Sequence, residues 1–192
     1  MGEDADGRWN ALFSDLSGQF DAQDMREREA EQIDQVRHER GRLVLLDRFR
    51  AATGGEVRVA LAGRSPLRGT VTEVGTDWIA LREATWEAYL PLHAVSWVEG
   101  LPRRGRSPER AEWRTPDLRR LFREWSVDRE LLSVEVGGGQ LFRGVVVDVF
   151  ADHVDLVVDR ELTGRLVGDG AGEEARSLGI PLSALVLVRR EV

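Results

Sequence analysis

Three histidines, His38, His93 and His153, are the only imidazoles in this 192-residue chain, and cysteine is absent. No two of them stand at metal-ligand spacing, and zinc takes three or four protein ligands, so no metal site is assigned. Without cysteine there are no disulfides, thiolate sites or cysteine nucleophiles. The run Gly168 to Gly172, ahead of Glu173 and Glu174, has the outline of a phosphate loop. It lacks a P-loop lysine and the full G-x-G-x-x-G pattern, and its carboxylates repel phosphate. It reads as a flexible insertion within an acidic loop over 157–179. No G-x-S-x-G, paired-carboxylate or Ser/His/Asp spacing appears. Asp77 and Asp152 read as turn residues that bond their own backbone, and His153 as an exposed loop side chain. No catalytic residue, cofactor or small-molecule substrate is assigned, and the chain reads as non-enzymatic.

Binding chemistry is better represented. All 27 basic residues are arginine, which forks and stacks where lysine is a point charge. The net charge is −7, which argues against indiscriminate nucleic-acid binding. The charge is uneven, however. Residues 103–123 hold eight arginines against Glu109, Glu112 and Asp117, while the first forty residues are acidic. Arg103, Arg104, Arg106, Arg110 and Arg114 are candidate RNA contacts. Trp78 is a candidate to stack on a base, worth ~1–3 kcal/mol if exposed. The competing reading of Trp78 is a side chain closing a barrel mouth or a subunit interface.

These residues must be positioned by a repeat. At a shift of 75, residues 57–81 lie without a gap over 132–156, and eight of 25 positions are identical, Gly63/Gly138, Arg68/Arg143, Gly69/Gly144 and Asp77/Asp152 among them. Beyond a longer insertion in the second copy, 89–100 matches 179–190. Upstream, Leu43, Leu46 and Arg48 fall on Leu118, Leu121 and Arg123. Each unit therefore reads as a helix followed by strands. Val57, Val59 and Leu61 alternate at period two. Gly63 and Gly138 suit tight hairpins with positive φ, while Gly69 and Gly144 suit a bend or close backbone approach. Val71, Val74, Ile79 and Leu81 break parity, which predicts a resetting turn at 75–77. The final strand of the first unit is predicted at 95–98. Strands this short are best closed as small barrels, which removes exposed edges.

A helix followed by five short, bent strands resembles the Sm-like superfamily, with the bacterial RNA chaperone Hfq its nearest familiar member. GTVTEV at 69–74 is similar to the family's glycine-led strand. HAVSWV at 93–98 is similar to the second motif around its RNA-contacting histidine, here His93. The likeness covers 43–99 and 118–190 in outline. The N-terminal W-x-x-L-F-x-D-L segment, 9–16, is similar to that of actinobacterial proteins with two such halves. The resemblance implies RNA contact at His93 and edge-to-edge self-association. The chain departs from the family's RNA site: Gly75 and Phe150 stand where an Asp belongs, and no Asn follows. Pro91-Leu92 replaces Tyr-Lys, and Ser183 replaces His93 in the second copy.

The expected architecture is mainly β with helices: two tandem SH3-like or Sm-like small β-barrels, each preceded by a helix, plus a long N-terminal helix. The boundaries are 1–42 for the acidic helix, 43–101 for the first helix and barrel, 102–114 for an Arg-rich linker and 115–192 for the second helix and barrel. Thr115 and Pro116 read as N-cap and N1 of the second helix. Trp9, Leu12, Phe13, Leu16 and Phe20 form one helical face and are the candidate partner-binding residues, in cis or in trans. No apolar run approaches ~20 residues, and no signal peptide is recognised, so a cytoplasmic location without a membrane role is expected. The functional expectation is a binding or assembly protein that contacts itself, another protein or both. RNA binding is the alternative.

Overall fold

The computed structural model describes residues 41–83, 85–106, 116–158 and 177–191. The chain divides into two units, Met1–Leu43 and Val44–Val192. The expected helix over 8–40, with Trp9, Leu12, Phe13, Leu16 and Phe20, lies outside the described residues, as do Arg110 and Arg114.

Two helices precede two sets of strands. Helix α1 spans Leu45–Ala51, and its Asp47 side chain reaches back to accept from the Val44 amide at 3.2 Å. Helix α2 spans Leu118–Asp128 and buries Leu118, Leu121, Phe122 and Trp125, one stripe at helical spacing. Its N-cap is Asp117, whose Oδ1 accepts from the Arg120 amide at 2.8 Å. The cap therefore falls two residues beyond the predicted Thr115, because a carboxylate at 117 reaches the third helical amide. Among the described residues, no helix is long and apolar enough to cross a membrane.

Ten strands form one open sheet among the described residues. They are β1 (Glu56–Leu61), β2 (Leu67–Val74), β3 (Trp78–Arg82), β4 (Trp86–Pro91), β5 (Val95–Glu99), β6 (Leu131–Val136), β7 (Gln140–Val149), β8 (His153–Val158), β9 (Ser177–Pro181) and β10 (Leu185–Glu191). Their order is β5-β1-β2-β3-β4-β10-β6-β7-β8-β9, with every pairing antiparallel.

The sequence repeat returns as a repeat of register. Val59 faces Leu67 as Val134 faces Phe142, and Ile79 faces Leu90 as Val154 faces Ile180. The β2/β3 ladder slips between Val71 and Glu73, and the β7/β8 ladder slips at the matching place, between Val146 and Asp148. Each half has a short 3-10 turn after its Pro-Leu, at Leu92–Ala94 and Leu182–Ala184. Gly63 and Gly138 take φ of 77° and 85°, as hairpin turns require. A Cβ on Gly69 would meet the Arg82 carbonyl at 2.8 Å, and one on Gly144 would collide with the Val157 carbonyl. These glycines allow neighbouring strands to close in.

The broken parity around β3 has a different cause from the predicted one. The ladder slip lies inside β2, ahead of the 75–77 turn, and β3 is buried on both faces. Ile79 and Leu81 enter one apolar core with Phe49, Val59, Val71 and Leu90. Trp78 and Ala80 enter a second core with Phe122, Trp125, Leu132, Val146 and Leu156. The first half thus supplies side chains to the core of the second, through β3 and β4.

Candidate functional site

The two halves meet where β4 pairs with β10. Tyr89 lies opposite Val188, Ala88 opposite Arg189 and Glu87 opposite Arg190. Side chains on the two strands divide between the two cores. Ala88 and Leu90 face the first core, and Tyr89 faces the second. Strand β10 answers with Val186 and Leu187 toward the first core, and Leu185 and Val188 toward the second.

An aromatic chain closes the apolar side of the seam. The Trp78 and Tyr89 rings lie 5.5 Å apart, Tyr89 meets the edge of Trp125 at 4.7 Å, and Phe122 meets Trp125 at 5.2 Å. Tilted and T-shaped rings are the favoured arrangements of aromatic quadrupoles. The Trp78 indole nitrogen donates to the Pro116 carbonyl at 2.9 Å. A buried indole N–H needs such a partner.

A polar network runs beside it. Glu87 accepts from the Tyr89 hydroxyl at 2.8 Å, from Arg190 at 2.9 Å and from the Thr72 hydroxyl at 3.1 Å. Burial pushes the Glu87 carboxyl up, but those three hydrogen bonds outweigh it and hold the group below its ordinary value. Burial raises Glu73, and the nearby Glu87 and Glu124 charges raise it further. Burial, then the Glu87 hydrogen bond, raises the Tyr89 phenol. A second charge pair, Arg64 with Glu135, crosses between the halves at 2.5 Å. A third, Arg189 with Glu83, does so at 3.8 Å.

A cleft of about 440 Å³ opens at one end of this junction. His93 from the first Pro-Leu turn and Ser183 from the second line it, together with Asp77, Asp117 and Arg119. The His93 Nε2–H donates to the Leu185 carbonyl at 3.0 Å, so the imidazole ties one half to the other. The Asp77 carboxylate accepts from the Leu118 amide at 2.8 Å. It therefore helps to cap α2 across the junction, where the sequence reading had it serving its own turn. With Asp117 holding the Arg120 amide, both carboxylates of the cleft are engaged.

The other sequence-derived candidates are scattered. Arg103, Arg104 and Arg106 are exposed beyond β5. The carbonyls of Leu101 and Pro102 in the same segment accept from Arg48, and the Arg106 amide donates to Asp47, which fixes the segment against α1. Trp78 is fully buried, so its face is not offered to a base. The second half places Phe150 and His153 where the first has Gly75 and Trp78. These rings stack at 4.4 Å and 11°, with His153 Nδ1 2.7 Å from Asp152.

Residue-by-residue reasoning missed Glu87, Tyr89, Arg190 and Trp97. Glu87 and Arg190 stand 103 positions apart, so no local spacing links them. Trp97, on β5, is 44% exposed, with the Arg58 guanidinium 5.5 Å over its ring. Its counterpart in β10, Leu187, is 1% exposed. The alignment of 89–100 with 179–190 carried that comparison but could not show which of the two was covered.

No protein-family model matches the chain, and no curated protein matches it significantly.

Proposed function

We propose that the chain is a non-catalytic binding and assembly protein. In this reading it is two tandem Sm-like barrels fused through one sheet, and its partners are proteins: itself, another chain, or both. The β4–β10 pairing carries the reading, because it joins the halves by strand addition and leaves β5 and β9 as the sheet's outer edges among the described residues. An unpaired strand edge is a template for a further strand. Glu87 with Arg190, Arg64 with Glu135, and the Asp77 cap all tie one half to the other. Ionisable groups spent in that way support a scaffold rather than a reaction centre. The same reading places the cysteine-free chain in the cytoplasm.

RNA binding is the second reading, favoured by the exposed His93 beside the cleft and the exposed Arg103 and Arg104. Affinity capture of the tagged full chain from native lysate, with and without ribonuclease, separates the two. Defined proteins should survive ribonuclease and be lost from a Trp97→Glu variant, which alters the edge without touching the cleft. Bulk RNA enrichment that weakens with salt and with His93→Ala would replace the assembly reading with the RNA one.

A further inference from the structure

Every Ser-Pro or Thr-Pro pair in the chain follows an arginine: Ser65-Pro66, Ser107-Pro108 and Thr115-Pro116. The hexapeptide G-R-S-P-x-R also stands twice, at 63–68 and 105–110. The shift of 75 that relates the halves does not produce this second copy. At that shift Gly139, Gln140 and Leu141 occupy the places of Arg64, Ser65 and Pro66. The demands of the repeated fold therefore do not account for the hexapeptide, and recognition of the segment itself does. We propose that Ser65 is a phosphorylation site, read by a protein kinase through Pro66 and Arg68, and that the phosphate draws Arg64 away from Glu135 and so weakens one tie between the halves. This does not rest on the assembly reading.

Ser65 lies in the connection between β1 and β2 and is exposed. Its hydroxyl has no hydrogen-bond partner among the described residues. Proline at 66 biases residue 65 toward extended backbone, a form that lies along an enzyme's groove. Arg68, three residues on, is 71% exposed, with Glu56 at 3.5 Å as a weak surface partner. The chemistry is phosphoryl transfer from a magnesium-bound nucleoside triphosphate. The Ser65 Oγ attacks the γ-phosphorus, the bond to the bridging oxygen breaks, and the diphosphate leaves. The hydroxyl proton passes to the kinase's carboxylate.

The response is built into the neighbouring residue. The Arg64 guanidinium reaches Glu135 of β6, 71 positions away, at 2.5 Å. Both side chains are largely covered, at 20% and 15% exposure, while the Arg64 Nε is buried without a partner. A phosphoserine beside Arg64 brings about two negative charges and three acceptor oxygens, against the single charge of a carboxylate. The guanidinium turns to the phosphate and Nε gains an acceptor. Glu135 then loses its one ionic partner among the described residues and is repelled by the new charge.

Two measurements test the site and its consequence. The full chain, Ser65→Ala and Arg68→Gln are incubated with native lysate, magnesium and ATP, and phosphate is mapped by peptide mass. The expected result is phosphate on Ser65 of the parent, at least tenfold less of it in Arg68→Gln, and none at position 65 in Ser65→Ala. No phosphate on Ser65, from a lysate that labels its own proteins, overturns the site. So does labelling confined to Ser107 or Thr115. The full chain with phosphoserine installed at 65 during synthesis is then melted beside the unmodified chain. Its Tm should fall by ~3–5 °C, and the same modification should leave Tm unchanged in Glu135→Gln, where no charge pair remains to be broken. A parent Tm indifferent to the phosphate, or a fall that persists in Glu135→Gln, overturns the exchange of partners.

Discussion

Replacing Glu87 tests how the halves are held. Its carboxylate is nearly covered, at 11% side-chain exposure, and takes hydrogen bonds from three strands: Thr72 on β2, Tyr89 on β4 and Arg190 on β10. Removing one member of a buried pair costs ~3–5 kcal/mol, because the other charge is left uncompensated. Arg190 is a third exposed and has Glu130 at 4.0 Å, so part of that cost is recovered. For Glu87→Gln, which keeps the shape and some hydrogen bonding, the expected loss is ~2–3 kcal/mol, or roughly 5–10 °C in Tm. Urea unfolding of Glu87→Gln, Arg190→Gln and the double variant should give a coupling energy of at least ~1 kcal/mol. The pH dependence has a definite sign. The folded Glu87 carboxyl sits below its ordinary value of 4.5, so its stabilisation is complete above that pH and is lost as pH falls through the folded value. Glu73 works oppositely: its raised carboxyl takes up a proton earlier in the folded chain, which favours folding as pH drops toward 4.5. The gap between parent and Glu87→Gln should therefore narrow as pH falls below 4.5; above that pH it should shrink only slightly as Glu73 ionises, because the variant lacks the Glu87 charge that raises Glu73. Strictly additive single variants, with no pH dependence of the gap, would refute this account of the seam.

Other consequences are equally direct. Asp77→Ala should cost ~1 kcal/mol through the lost cap of α2, while Asp152→Ala, its exposed counterpart, should leave urea midpoints unchanged. Gly144→Ala should destabilise by several kcal/mol, because a Cβ meets the Val157 backbone. Gly63→Ala, with open space but φ of 77°, should cost only ~1 kcal/mol in the same assay. Trp78→Ala should lose ~3–5 kcal/mol by leaving a hole between the halves. Iodide quenching of tryptophan emission should fall more in Trp97→Phe than in Trp78→Phe, since one ring is exposed and the other buried.

What the sequence disclosed was whatever repeats locally. The shift of 75 predicted the strand pairs of each half, and Gly63, Gly138, Gly69 and Gly144 all serve as their type suggested. What it concealed was the contact between halves. Alternation along β3 told only that Trp78 and Ile79 point opposite ways. It could not tell that the outward side was covered by Leu118, Phe122 and Trp125 from a helix 40 or more residues further on. The same limit hid the role of Asp77, whose partner amide lies 41 positions away. Pairing between distant strands is set by the packing of whole faces, and a single chain carries no spacing that announces it.

The two halves differ most where they are used differently. Positions facing a core stay apolar in both: Ile79, Leu81 and Leu90 correspond to Val154, Leu156 and Ile180, all buried. Positions facing outward diverge. Trp78, Ala80 and Tyr89 are covered by the second half, whereas His153, Asp155 and Gly179 occupy the same places on β8 and β9 and are polar or small. Gly75 belongs to the same division, because a Cβ there would occupy the space of the Trp78 indole. At 150, beside an outward His153, a phenylalanine is accommodated and stacks on the imidazole. An apolar β8–β9 face would bind the next chain as firmly as the halves bind each other, and without a closing geometry it would grow into fibres. Polar and small residues there reserve the strong seam for the inside of the chain.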